Sequence, residues 1–259
     1  MQDNNRRQFL SKVGSGMLVG SLGAALSGDL GISSAYADDR DDRLTFGDME
    51  PLVALMQETP LERLQSTLVD QLGNGTSLST LVAAGSLANA RTFGGHDYVG
   101  FHTFMALTPA LEMSAELPTE RKALPILKVL YRNTDRIQQF GGSSSEVLKR
   151  IDASKHDGGG VAGEQLQAAA RKADFERADR LMASIANESP ETIFNHVQYP
   201  VQDRTNVHRV VLTWRAWLAI DLVGAEHAST LLRQSVRFCL RSSENRIRDG
   251  KPDPELWTL

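Results

Sequence analysis

Apolar residues recur along most of the chain at helical spacing, three and four positions apart. One example runs from Leu61 through Leu64 and Leu68 to Leu72. The preceding segment, Thr59-Pro60-Leu61-Glu62, has the pattern of a capping box with proline at the first helical position. No stretch has the alternating pattern of a β-strand. The sequence therefore predicts an all-α fold, a single helical-bundle-like domain over residues 49–259.

The same spacing predicts further helices over residues 77–90, 97–109, 119–139, 163–186, 206–223 and 226–246, with another beginning at Ser189-Pro190. Pro109 should kink or end its helix, and Pro125 indicates a kink or a late start. A short helix is expected between the glycine- and serine-rich loops at 141–145 and 157–160. Residues 206–223 are apolar on nearly every face, which predicts a central, buried helix.

The first 37 residues have the order of an export signal: positive charge, a short apolar run, then small residues. Arg6-Arg7-Gln8-Phe9-Leu10 matches the twin-arginine signature, and Ala35-Tyr36-Ala37 has the form of a signal-peptidase site. We therefore expect a periplasmic or otherwise exported protein, with the twin-arginine translocase and signal peptidase as partners. The apolar run is too short and glycine-rich for a permanent membrane span. The alternative is a basic N-terminal helix of a cytosolic protein.

Composition and charge exclude some classes of protein and disfavour some binding partners. The chain has 259 residues, a net charge of −4 and one cysteine, which excludes a disulfide-built scaffold and disfavours nucleic acid as a partner. Residues 38–48 begin with a run of charges and should form a flexible leader. Transport in the folded state is implied by the twin-arginine resemblance, and that route is often used by proteins that acquire a cofactor before crossing the membrane.

Histidines supply the candidate metal site. Imidazole binds zinc, copper and iron, and a helical bundle can bring several imidazoles together in its interior. The candidate metal ligands are His96, His102, His208 and His227. The cofactor would be an iron, copper or zinc ion, or non-covalent haem, because the motif for covalent haem attachment is absent. The alternative for each histidine is a hydrogen-bonded core residue.

Three neighbouring side chains are candidate catalytic residues: Asp97, Tyr98 and Arg215. Arg215 lies seven residues after His208, on the same helix face, and a structural ion pair with Asp203, Asp221 or Glu226 is favoured over an anion-binding role. Arg132 follows an apolar run and carries the same two interpretations.

The sequence gives only weak signals for a catalytic nucleophile, for other metal ligands or for a phosphate-binding loop. Cys239 lies on an apolar helical stripe, which favours a core residue over a nucleophile. His156-Asp157 could supply metal ligands, but a glycine loop follows it directly, and Gly158-Gly159-Gly160 lacks the flanking residues of a phosphate loop. Hydrolysis through serine or cysteine is therefore poorly supported.

Three blocks resemble segments of twin-arginine-exported bacterial proteins of uncharacterised activity: residues 94–107, 124–133 and 225–232. Histidines scattered along apolar helices are also similar to the helical questin-oxidase-like proteins, a likeness that implies oxygen-dependent oxidation. The leading hypothesis is an exported all-α protein with a histidine-rich buried site, a metal- or haem-dependent oxidoreductase acting on an unidentified small molecule. The alternatives are a non-enzymatic periplasmic binding or assembly protein with structural histidines, and a zinc hydrolase.

Overall fold

The computed structural model describes residues 42–151 and 161–251. Within these residues it contains ten α-helices and no strand, so the all-α prediction is confirmed. The helices are α1 (Glu50–Glu58), α2 (Leu61–Gly73), α3 (Leu78–Phe93), α4 (Tyr98–Ala115), α5 (Ala123–Phe140), α6 (Ala162–Arg171), α7 (Phe175–Ser184), α8 (Pro190–Gln202), α9 (Val207–Val223) and α10 (Ala228–Arg248).

Helix α3 is the centre of the fold, since every residue from Leu81 to Phe93 is buried. It packs against α1, α4, α5 and α9, while α10 packs against α6, α7, α8 and α9. The apolar side chains of both groups form one continuous core. Helices α9 and α10 therefore join the two halves of the chain into a single domain.

Several predicted helix starts are confirmed in position. Ser77 and Ser189 each accept a hydrogen bond from the backbone N–H three residues on, Thr80 and Thr192 respectively. Such caps satisfy amide groups that have no partner in the first helical turn. The capping box proposed before α2 is wrong, because the cap position is Pro60 and no side-chain oxygen caps that helix.

The structure corrects two predictions about where helices end: Pro109 does not end its helix, and the predicted helix over 163–186 is not continuous. Pro109 lies inside α4, which continues to Ala115; a proline removes one backbone hydrogen bond, and tertiary packing can outweigh that loss. The predicted helix over 163–186 is divided into α6 and α7. The chain turns at Ala173, whose φ is 54°, and Asp174 then caps α7 by accepting from the Arg177 N–H.

Helix α9 is not buried on all sides, contrary to the prediction. Leu212, Ala216 and Ala219 face the core, whereas Val207 and Trp214 are exposed. The apolar character of this helix therefore extends onto the surface of the domain.

The ordered domain begins before residue 49. Phe46 is 1% exposed, and Arg43 forms an isolated antiparallel bridge with Lys149. Leu44 and Phe46, expected to belong to a flexible leader, therefore pack on the core. Residues 146–151, where we expected a short helix, contain none.

The export signal, the proposed cleavage site and the start of the leader lie outside the described residues, as do His156-Asp157 and the glycine loop after them. Among the helices that are described, none combines the length and the apolar character required to cross a membrane.

Candidate functional site

Aromatic and imidazole rings from three helices meet at the start of α4 and α9. His102 and His208 lie with their ring centroids 5.0 Å apart and their planes nearly perpendicular. The ring centroid of Tyr98 lies 4.4 Å from that of His102, and the ring centroid of Phe101 lies 5.3 Å from that of His208. The ring of Phe238, on α10, packs edge-on against the ring of Phe101, with the centroids 5.1 Å apart. Three residues selected from the sequence, His102, His208 and Tyr98, therefore belong to one site.

The backbone just before α4 fixes the position of the helical turn that carries Tyr98 and His102. Gly94 and Gly95 both have positive φ, 49° and 79°, and turn the chain sharply between α3 and α4. Asp97 then accepts a hydrogen bond of 2.7 Å from the Gly100 N–H and caps α4. Arg136 of α5 donates two further bonds to the same carboxylate, at 2.9 and 2.6 Å. These contacts hold the first turn of α4, which carries Tyr98 and His102.

The Asp97 carboxylate therefore already accepts hydrogen bonds from groups that hold the fold in place. The hydrogen bond from Arg136 holds the pKa of the Asp97 carboxyl below its usual value, and the Gly100 N–H acts in the same direction. A carboxylate with these partners orients the helix. We therefore assign Asp97 a positioning role rather than the catalytic role proposed from the sequence.

Hydrogen bonding selects one tautomer of His102. Its Nδ1 lies 2.6 Å from the carbonyl oxygen of Tyr98. A carbonyl can only accept, so Nδ1 must carry the proton and Nε2 of the neutral ring keeps its lone pair. Metal-binding histidines are commonly oriented by such a bond. His102 thus has its Nε2 available as a ligand.

His96 lies apart from this pair, against the edge of Phe175 at 5.5 Å. Burial is the main cause that lowers its pKa, to about 4, and Arg237 and Arg241 add to the effect. Glu244 and Asp179 oppose it. The Nε2 atom is buried with no hydrogen-bond partner among the described residues. His96 is therefore a neutral, packed ring at neutral pH.

Stability should fall in acid because of this histidine. The native pKa of about 4 is below the ordinary 6.5, so between these values the unfolded chain binds more protons than the folded one. The contribution of His96 is intact above pH 6.5, and about 2–3 kcal/mol of it is lost by pH 4. We expect the pH dependence of urea unfolding to flatten by that amount in His96→Gln. Parallel curves for the two proteins would contradict the assignment.

His227 lies elsewhere again, at the start of α10, with its ring edge-on to Phe46 at 5.4 Å. Burial lowers its pKa below the ordinary value, and the nearby Glu226 acts in the opposite direction. Within residues 42–151 and 161–251, no three His, Cys, Asp or Glu side chains converge as a metal-binding group. The four candidate histidines thus divide into one pair and two separate, packed rings.

Arg215 does not pair with Asp203, Asp221 or Glu226 as we expected. Its guanidinium lies 3.8 Å from Glu112 of α4, and Asp203 is bound by Arg171. This contact joins α4 to α9, two turns of α9 beyond His208. Arg215 therefore links the two helices that carry the histidine pair and does not touch the rings.

Two other residues from the sequence have structural roles. Cys239 is completely buried, which raises the pKa of its thiol to about 11 and agrees with the predicted core residue. Arg132 is largely exposed and pairs with Asp135 at 2.7 Å on the same helix. Arg132 therefore forms the structural ion pair that the sequence favoured, but at the surface, where a pair three residues apart contributes little.

The sequence analysis missed a buried ion-pair network centred on Arg91. This side chain is fully buried. Its Nη1 lies 2.6 Å from Oε1 of Glu50, and its Nε lies 3.1 Å from Oε1 of Glu146. It also donates to Gln57 and, at 2.9 Å, to the carbonyl of Leu44. The signal was present as a lone charge near the end of the apolar stretch 81–93. Phe101 and Phe238 were also missed, because nothing distinguishes them from other core aromatics.

The chain was compared with protein-family models, with curated proteins and with solved structures, and none of the three comparisons found a match.

Proposed function

We propose that this is an exported helical protein that binds a transition-metal ion through His102 and His208. The observation that carries the proposal is the 5.0 Å separation of the two ring centroids. Metal–nitrogen bonds of about 2.0–2.1 Å at a tetrahedral angle separate the centroids of two imidazoles on one ion by about 5 Å. The centroid spacing of the pair is therefore compatible with a shared ion.

The same distance favours a bare ion over haem. Two axial imidazoles on opposite faces of a haem have centroids more than about 6 Å apart, with the macrocycle between them. His102 and His208 are closer than that and lie nearly perpendicular. Iron or copper bound at this pair would supply the one-electron chemistry of an oxidoreductase. Tyr98 is exposed beside His102 and would contact a substrate that binds next to that ring.

The test is metal content measured by elemental analysis, together with a visible spectrum, on protein exported through its own signal. We expect near-stoichiometric iron or copper relative to the site, and a loss of affinity of at least about 100-fold in His102→Ala and in His208→Ala. His227→Ala is the matched control, because that ring packs on Phe46 away from the pair, and it should retain the metal. Equal metal content in all four proteins would refute the site.

A second candidate function is a non-enzymatic binding or assembly protein. It is favoured by the apolar surface of α9, where Val207 and Trp214 are exposed. Protein that is colourless and metal-free after export would support this function and return His102 and His208 to a packing role. Zinc without visible absorption would instead support the zinc hydrolase.

A further inference from the structure

Helix α9 has an apolar face on the side away from the core. Five residues at helical spacing form it over about three turns: Val207, Val210, Val211, Trp214 and Leu218. Val207 is 71% exposed, Trp214 50% and Val210 46%, and the other two are half-buried. Apolar side chains that adjoin one another on a surface indicate a contact site, whereas single exposed ones do not. We call these five residues the α9 face.

Helix α10 ends close to the start of this face. A short turn joins the end of α9 to the start of α10, and Nη2 of Arg209 donates to the Cys239 carbonyl at 3.5 Å. The two helices therefore run antiparallel. From Cys239, α10 continues to Arg248, which is about 14 Å at 1.5 Å per residue. It thus extends past the first turn of α9, where Val207 lies.

The chain after α10 is long enough to cover the α9 face. Gly250, with φ of 64°, ends the helix, and the Lys251 N–H donates to the Arg246 carbonyl at 3.0 Å, which turns the chain away from the helix axis. Residues 252–259 lie outside the described residues. Eight residues span at most about 26–29 Å. The path from the end of α10 to Trp214 is about 21 Å along the helices and about 10 Å across them.

The sequence of this segment matches the surface that it would cross. Its first half carries two acids, Asp253 and Glu255, and its second half carries three apolar residues, Leu256, Trp257 and Leu259. Arg204, just before α9, is exposed and has no acidic partner among residues 42–151 and 161–251. The first turn of α9 contains no acidic side chain, although the positive end of the helix dipole favours one. The acidic half would therefore meet positive charge before the apolar half meets the α9 face.

We propose that residues 252–259 fold back across the start of α9 and cover the α9 face with Leu256, Trp257 and Leu259. A tethered segment of this length has an effective concentration of about millimolar, so a weak apolar contact is sufficient to hold it. The proposal does not depend on the metal site. The surface that favours a binding or assembly function is then occupied by the chain itself, and a partner would have to displace this segment.

Acrylamide quenching of tryptophan fluorescence tests the contact, because Trp214 lies on the α9 face and the chain has only three tryptophans. Trp257→Phe keeps the segment apolar, whereas Leu256→Asp combined with Trp257→Asp makes it polar. Both full-length proteins then report on Trp214 and Trp217 alone. We expect the quenching constant to be at least about twofold higher in the Asp protein, because the Trp214 ring is 50% exposed without a cover.

Matched variants locate the contact. Val207→Asp in the Trp257→Phe protein should raise quenching to the same level, and adding it to the Asp segment should raise quenching no further. Leu124→Asp is the control, since Leu124 is 39% exposed on α5 and α9 packs against α3, α4, α8 and α10. It should leave quenching unchanged. In a Trp214→Phe background the difference between the two segments should vanish.

Other results would overturn the proposal. Equal quenching with the Phe and Asp segments would show that residues 252–259 do not cover Trp214. Protection that is lost on dilution would assign the α9 face to a second copy, and protection that depends on residues 1–37 would assign it to the N-terminal segment. Circular dichroism on each variant ensures that a change in quenching does not reflect a lost fold.

Discussion

Replacing Arg91 by methionine should lower the free energy of unfolding by about 3–5 kcal/mol, the cost of breaking a buried ion pair by removing one partner. The guanidinium is fully buried, and the Glu146 side chain beside it is only 2% exposed. Without Arg91, Glu146 keeps the two hydrogen bonds from the exposed side of the network, donated by Arg43 at 3.1 and 3.4 Å. The loss arises from leaving a carboxylate buried with insufficient compensation.

Urea unfolding followed by circular dichroism measures this effect, and Arg132→Met is the matched control. Arg132 makes the same kind of ion pair, 2.7 Å from Asp135, but its side chain is 61% exposed. The control should change stability by less than about 1 kcal/mol. Similar losses in both variants would mean that the Arg91 network is no more stabilising than a surface pair.

Arg91 also ties distant segments of the chain together. It donates to the Leu44 carbonyl, and its backbone carbonyl accepts from the N–H groups of Val147 and Leu148. One residue of α3 therefore holds both the segment before α1 and the segment after α5. Arg91→Met should loosen the segment before α1 first, because the side chain makes the Leu44 contact, whereas the backbone carbonyl that accepts from Val147 and Leu148 is unchanged.

Helix positions could be predicted from the sequence because periodicity and caps are local properties. The apolar stripe of α2 and the Ser189 cap of α8 needed only residues within a few positions of each other. The break at Ala173 was missed for a physical reason. The apolar period continues in phase from α6 into α7, and the competing signal, a cap from Asp174 to the Arg177 N–H, is short and common.

The burial of α9 could not be predicted, because a helix that is apolar all round carries no information about which face is covered. Leu212 and Trp214 are equally apolar in sequence, yet one is buried and the other is half exposed. The difference is set by the packing of α3, α4 and α10 on one side of α9. The remaining apolar side chains of α9, among them Val207 and Trp214, stay exposed.

The candidate site was partly predictable. Residue type marked His102 and His208 as candidates, and nothing local could pair them, since they are on different helices far apart in the chain. The same limitation made His96 and His227 look equivalent to them. Only the packed structure separates rings that meet at 5.0 Å from rings that pack against Phe175 and Phe46.

Gly95→Ala should be the most disruptive single-methyl change at the turn that leads into the site. Gly95 has φ of 79°, and a Cβ there would lie 2.3 Å from the carbonyl oxygen of Gln234 on α10. Backbone cannot rotate away as a side chain can, so α4 and α10 must separate. We expect a loss of about 3–4 kcal/mol, combining left-handed strain with overpacking.

Gly75→Ala isolates the two contributions. Gly75 also has positive φ, 96°, but a Cβ there meets nothing within 4 Å. This control should lose only the conformational part, about 1–2 kcal/mol, and the difference between the two variants measures the collision with Gln234. Because Phe238, one turn further along α10, contacts Phe101, separating the helices should also weaken metal binding in Gly95→Ala alone. Equal stabilities, or unchanged metal affinity in a destabilised Gly95→Ala protein, would show that the site does not depend on this contact between α4 and α10.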